Sequence, residues 1–292
     1  MPWHQHRQVS VEFSFASEVS PDRYEQLVWS DSDSTLTIST ISFGSDGFRY
    51  RLRPGQWMYV DVVTDQKFVA RARTGIPQNN CDHFLADQVI PRVIAENGSL
   101  VVHAGAVMVG SNAVMFIGQS GRGKSTLSAS FETVGAQLLG DDAIVVSHFD
   151  DQPQVEAVYP SLRLLPDSIA ALLPERTATI SVADYSEKRR ITVNEAFPSP
   201  LPLRAAFVLS PPSNKPTITL RKLSVAETCM TFVANSFSLD PSDPTRARKR
   251  MFVAADLAHR VPTFKITYPR DYARLPEVRQ AILDQIALLE AA

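Results

Sequence analysis

The stretch that most limits what this chain can fold into is residues 118–126, Gly-Gln-Ser-Gly-Arg-Gly-Lys-Ser-Thr. Gly118, Gly123, Lys124 and Ser125 occupy the fixed places of the phosphate-binding pattern G-x-x-x-x-G-K-[ST]. Glycines let backbone N–H groups curl round an anion without side chains in the way. The lysine can reach terminal phosphates, and the serine hydroxyl suits a divalent cation. The flanks agree with the pattern. Val114–Ile117 is a short apolar run that reads as a buried strand, and Thr126–Val134 places Leu127, Phe131 and Val134 at helical spacing. Strand, glycine loop and helix together point the helix's positive end at a bound anion.

Two carboxylates follow, Asp141 and Asp142, in a loop that leads into the apolar run Ala143–Val146. Next to a phosphate loop, one of them suits a Mg²⁺ ion and the other the proton of an attacking hydroxyl. Alone, such a pair is ordinary turn chemistry. His103 precedes the loop on an apolar strand, where a histidine is more often a core residue than a catalytic one. Two basic clusters, Lys188-Arg189-Arg190 and Arg246–Arg250, can be phosphate clamps or simply solvated faces. Arg163 joins the first cluster as a candidate phosphate or substrate contact.

The rest of the chain sets the frame. At 292 residues with 44 % hydrophobic and 21 % charged residues, it can bury a large core in one or two domains. A net charge of −2 lacks the basic footprint of a nucleic-acid binder. Cys81 and Cys229 give no disulfide framework. No basic-then-apolar signal is seen up to Pro21, so a cytoplasmic location is expected. Residues 99–118 carry no charge, yet Gly110-Ser111-Asn112 interrupts them with turn chemistry. They read as two strands, 100–109 and 113–117, and no membrane span is expected.

Residues 1–79 read as a mostly β domain. Strands are expected at Val9–Phe15, Leu36–Ser42, Phe48–Leu52, Trp57–Val63 and Phe68–Ala72, with turns at 44–47 and 54–55. His4 and His6 resemble half of a metal tract, although a solvated terminus explains them equally simply. Residues 80–292 read as an α/β domain with α+β features. It begins with a helix over 82–96 that Pro91 should kink and Asn97-Gly98 should stop. A short helix to Leu173 and strands at 191–193, 203–209 and 217–223 should follow, with a loop at 211–216. Ser224 and Glu227 form a capping box opening a helix to about Phe237. Helix 245–258, strand 261–268 and helix 276–290 complete the reading.

His103-Ala-Gly-Ala-Val107, the loop from Gly118 to Ser125, and Gly140-Asp141-Asp142 occur in this order. His103 lies 22 residues before Ser125, and Asp141 lies 16 after it. This arrangement resembles the catalytic core of the HPr kinase/phosphorylase superfamily, whose phosphate loop is similar to that of phosphoenolpyruvate carboxykinases. The resemblance covers roughly residues 80–270, with its motifs in 103–142. Segments 162–167 and 187–190 echo HPr-kinase-related proteins, some of which phosphorylate lasso-peptide precursors. The resemblance implies an ATP- and Mg²⁺-dependent serine kinase acting on a peptide or small protein, and it allows a homo-oligomer. Gly118, Gln119, Ser120, Gly121, Arg122, Gly123, Lys124, Ser125 and Thr126 would bind nucleotide. Ser125 and Asp142 would hold Mg²⁺, Asp141 would act as base, and His103 would tune it. No Glu-x-Arg-Gly segment follows the aspartates, so neither a reverse reaction nor HPr itself as acceptor is implied. The β domain would recognise a peptide, for example by adding a strand to a sheet edge. Two alternatives stand beside this: a nucleotide-binding regulatory module without transfer, and a kinase for a small-molecule hydroxyl.

Overall fold

The computed structural model describes residues 10–20, 24–31, 35–42, 48–96, 98–149, 152–176, 178–192, 200–213 and 217–291. The readings for His4, His6, Val9, the 44–47 turn, Asn97, Val193 and loop residues 214–216 lie outside these. The chain divides into two compact units. The first comprises residues 1–99, 183–185 and 237–250; the second comprises 100–182, 186–236 and 251–292. The main division therefore falls after Ser99, and the helical segment that follows the β region packs with it.

The first unit is built on a six-stranded sheet. Its strands are β1 (Ser10–Ala16), β2 (Glu25–Ser30), β3 (Leu36–Ser42), β4 (Phe48–Pro54), β5 (Met58–Val62) and β6 (Lys67–Arg73). They lie in the order β1-β6-β5-β4-β3-β2, and only the β1–β6 pair is parallel. Alternation is clean in β6, where Phe68, Ala70 and Ala72 are buried and their neighbours look outward. The sequence reading missed β2, whose pattern is broken by a register shift between Leu27 and Trp29.

The expected kinked helix starts earlier, at Gln78, and its kink has a specific form. Helix α1 (Gln78–Phe84) widens into a π turn (Leu85–Val89) before α2 (Ile90–Glu96) resumes. The N–H of Ile90 reaches back five residues to the carbonyl of Leu85. Pro91 next in line has no N–H to give and crowds the preceding turn, so the ladder loosens just ahead of it.

The second unit centres on β9. Its strands and helices in order are β7 (Leu100–Val102), β8 (Ala104–Val109), β9 (Asn112–Ile117), α3 (Lys124–Glu132), β10 (Gln137–Gly140), β11 (Ile144–Phe149), β12 (Gln152–Ala157), β13 (Ser161–Leu164), α4 (Pro166–Leu172), β14 (Ile180–Ala183), β15 (Ser186–Thr192), β16 (Leu201–Leu209), β17 (Thr219–Lys222), α5 (Val225–Ala234), α6 (Pro244–Arg260), β18 (Thr263–Thr267) and α7 (Leu275–Glu290). The main sheet runs β10-β8-β9-β16-β12-β11-β7, with β18 on β16 and β17 on β18. Strands β9, β16 and β18 are parallel to one another. The uncharged stretch 99–118 is strand, turn and strand, and among the described residues no helix is long and apolar enough to cross a membrane.

Ala113 to Ile117 are all fully buried, because both faces of β9 are covered. Ala113, Met115 and Ile117 face one core with Phe232 of α5 and Leu257 of α6. Val114 and Phe116 face another with Phe131 of α3 and Val278 and Ile282 of α7. Phe116 lies 5.5 Å from the Phe131 ring and 6.4 Å from Phe207. At ~25 cal/mol per Å² of apolar surface buried, such a two-sided core dominates the unit's stability. Ser224 caps α5 as the sequence indicates, with its hydroxyl accepting from the Glu227 N–H.

Packing is tightest at Gly140, the last residue of β10. A Cβ there would stand 2.5 Å from the Ala157 Cβ and 3.2 Å from the Tyr159 carbonyl. Gly140→Ala is expected to destabilise the protein by roughly 1–3 kcal/mol through overpacking. The check is a lower urea midpoint with an unchanged m value.

Candidate active site

The carboxyl ends of β9, β16 and β18 lie side by side, and a cavity of about 320 Å³ opens beyond them. Ligands of open α/β sheets bind in this place. Its wall is formed by the loop 120–126 after β9, Ser210 and Pro212 after β16, and Tyr268 to Tyr272 after β18. His103, Asp142, Arg163, Leu165, Asp167, Ser168, Lys188 and Leu275 complete it.

The loop has the backbone its glycines allow. Gly121 and Gly123 take φ values of 77° and 93°, a region side chains disfavour. Gly123 opens α3, and the Tyr268 hydroxyl sits 3.4 Å from where its Cβ would be. Lys124 is buried and folds back over the loop, donating from Nζ to the Gly118 carbonyl at 2.7 Å and the Gln119 carbonyl at 3.3 Å. Burial pushes its pKa down, while Asp142 and Asp141 hold it up. The Arg122 guanidinium donates to Gln119 Oε1 at 2.9 Å. Thr126 Oγ1 lies 3.3 Å from Ser168 Oγ, which in turn meets the Tyr272 hydroxyl at 2.9 Å.

The two aspartates occupy the turn between β10 and β11 and have opposite environments. Asp142 is the only described non-glycine residue with positive φ, at 70°. Its carboxylate receives Arg163 Nη2 at 2.6 Å on Oδ2 and His103 Nε2 at 3.2 Å on Oδ1. Burial would raise its pKa, but Arg163 and His103 outweigh that and hold it well below the usual range. Asp141 is 1 % exposed. Burial and then repulsion from Asp142 push its pKa up to about 6, against the pull of Arg163 and a hydrogen bond with Ser125.

Gly105 makes room for this arrangement. A Cβ on it would lie 2.7 Å from Ser128 Oγ and 3.4 Å from Asp141 Oδ1, and both oxygens are buried without a hydrogen-bond partner among the described residues. His103 owes its position to a change of partners: β7 pairs with β11, whereas β8 pairs with β9 and β10. The chain crosses between them at residue 103, whose N–H donates to the Asn235 carbonyl at 2.7 Å. Its ring is thereby left at the cavity wall instead of inside a continuous strand.

Of the basic candidates, Arg163 and Lys188 line the cavity. Arg163 is 1 % exposed and also donates to the Tyr159 hydroxyl at 2.6 Å. Arg189 stands outside the wall and donates to Thr179 at 3.2 Å. Arg190, opposite Arg163 in the β13–β15 register, is likewise not part of the wall. The sequence reading missed Tyr268, Arg270 and Tyr272. Their signal was position, since they follow the apolar strand β18 directly at its carboxyl end.

The donor set fits a hard divalent cation such as Mg²⁺. Ser125 and Asp142 both line the cavity, and the neighbouring Asp141 Oδ1 has unused acceptor capacity.

The opposite pKa shifts carry a test. Asp141 has a folded pKa above its unfolded value, so the stability it contributes is present below about pH 4 and lost as pH rises through about 6. Asp142 is the reverse; its contribution is present above about pH 4 and lost only as pH falls below that. Asp141→Asn removes the first effect. In protein stripped of metal with EDTA, urea unfolding should show the variant gaining stability over the parent as pH rises from about 5 to about 7.5. A difference that stays constant across that range would contradict the assigned environment.

No family model matches the chain, and no curated protein does. Among solved structures, the chain is similar to the HPr(Ser) kinase/phosphatase from Coxiella burnetii, with 13 % identity and a TM-score of 0.35 over 66 % of this chain and 99 % of that one. An overlap that loose says nothing about chemistry, which is carried by the residues of the site alone.

Proposed function

We propose that the protein is an ATP- and Mg²⁺-dependent phosphotransferase that moves the γ-phosphoryl group to a serine hydroxyl of a peptide or small protein. A lasso-type precursor peptide is the favoured acceptor. One observation supports this most: the glycine loop 120–126 and the Asp142–Arg163–His103 cluster belong to one cavity wall. A protein that only bound nucleotide would not need the second, oriented carboxylate.

In this reading Lys124 leaves the Gly118 carbonyl for the β- and γ-phosphates, and the loop N–H groups receive their oxygens. Leu165, Tyr268, Tyr272 and Leu275 supply apolar and aromatic surface to the wall, against which a purine ring would pack. Mg²⁺ bound by Ser125 and Asp142 would neutralise charge on the phosphate oxygens. Asp141, whose pKa lies nearer neutrality, takes the proton as the serine oxygen bonds to phosphorus and the bond from phosphorus to the ADP oxygen breaks. Phosphoserine and ADP are the products. Arg163 and Lys188 offer positive charge to the transferring group, and His103 positions the Asp142 carboxylate.

A second division of labour is favoured by a specific contact. Asp142 lines the cavity beside Ser125, whereas Asp141 is not part of the wall. Exchanging the two roles leaves the reaction unchanged.

The tests separate these readings. Wild-type protein with ATP, Mg²⁺ and serine-containing peptides should add the mass of one phosphoryl group to the peptide. Nucleotide binding without any transfer would favour a regulatory module. Lys124→Ala should abolish nucleotide binding. Asp141→Asn should keep nucleotide binding and its Mg²⁺ dependence while transfer falls by about 10²-fold or more. If instead Asp142→Asn shows that pattern, the roles are exchanged.

A further inference from the structure

Two tyrosines in the cavity wall differ in how their hydroxyls are used. Tyr272 is tied up: its hydroxyl donates to Asp167 Oδ2 at 3.0 Å and meets Ser168 Oγ at 2.9 Å. Tyr268, directly after β18, is not. Its hydroxyl takes no hydrogen bond among the described residues, yet it lies against the phosphate loop, 3.4 Å from where a Gly123 side chain would begin.

Packing alone does not account for this hydroxyl. The half-buried ring rests on the core shared by α3 and α7, a role that phenylalanine would fill without a polar atom. The sheet fixes the ring's approach, because β18 is in parallel register with β16, and β16 with β9, whose end carries the loop. Burial pushes the phenol pKa up to about 12, with Arg270 opposing the rise. Near pH 7 the group is therefore a neutral O–H, able to donate to an anion without adding charge.

Its surroundings decide what it can donate to. Gly123 opens α3, where the positive end of the helix and the loop N–H groups collect an anion. The next residue, Lys124, has only donors on its ammonium, and these turn to the Gly118 and Gln119 carbonyls. The acceptor must then come from the ligand. We infer that the Tyr268 hydroxyl donates to a phosphate oxygen of the ligand held at the start of α3. The assignment rests on the reading of this loop as a polyphosphate site. It adds a fixed, neutral donor beside the Lys124 charge, on a residue that lies outside the phosphate-loop pattern.

Tyr268→Phe removes one oxygen and keeps the ring. Its urea midpoint should match the parent's; a lowered midpoint would mean that the hydroxyl serves the fold, and would overturn the assignment. Calorimetry on the intact chain with Mg²⁺ then titrates two ligands, inorganic tripolyphosphate and ATP. The parent should bind both. The variant should bind each at least about tenfold more weakly, the loss expected for a hydrogen bond to a charged group. A loss for ATP alone would put the hydroxyl on the sugar or base and overturn the assignment. If the variant binds both ligands as the parent does, the assignment falls while the phosphate site stands. If the parent binds neither, the phosphate site falls and the assignment with it.

Discussion

Two adjacent carboxylates, both largely withdrawn from water, are the constraint around which the second unit is arranged. Two like charges about 4 Å apart repel by roughly 4 kcal/mol at the effective dielectric of a protein surface, and by more when buried. The chain meets this cost asymmetrically. Arg163 and His103 both pair with Asp142, which becomes a permanent anion, whereas burial and then repulsion from that anion raise the pKa of Asp141 against the weaker pull of Arg163. Asp142 also sits in the left-handed region at φ 70°, where a non-glycine side chain is strained. A turn that served only to connect β10 and β11 would gain from glycine or asparagine at this position. Strain, charge crowding and a buried arginine are retained together, which is expected where chemistry is done rather than where a chain merely reverses.

The sheet explains why these groups lie near the phosphate loop at all. Three parallel strands end at the same edge, so the loops after Ile117, Leu209 and Thr267 meet there. The carboxylates arrive from another direction, through β10, which lies against β8. Gly105 on β8 is the small residue that permits it, because any side chain would meet Ser128 and Asp141. Sheet order and one missing Cβ therefore do as much to assemble the site as the motif residues do.

How much of this was legible in the sequence depends on the range of the signal. The phosphate loop, β9 and α3 were readable because their signal is local: glycine spacing, an apolar run and helical periodicity within about twenty residues. The Ser224 capping box was readable for the same reason. The partners of the carboxylates were harder. Arg163 was picked out only as a phosphate contact, and its pairing with Asp142 depends on the placement of β13, which a four-residue strand does not announce. Tyr268 and Tyr272 come from beyond β18, roughly 150 residues after the loop they face, and only their place after an apolar strand marks them.

Charge distribution gives an independent reason to expect an anion in the cavity. The chain as a whole carries a net −2, so non-specific attraction of anions is not its default. Yet the cavity wall has Arg122, Lys124, Arg163, Lys188 and Arg270 against Asp142, Asp167 and Asp271. One of these cations is neutralised within the wall by the Arg163–Asp142 pair. Lys124 donates to the Gly118 and Gln119 carbonyls, in a place where burial disfavours its charge and Asp142 and Asp141 favour it. A ligand with several negative charges would relieve that cost and receive a focused field from the low-dielectric walls. A neutral sugar or a cationic ligand would gain nothing from it. The electrostatics of the wall thus favour a ligand that carries several negative charges.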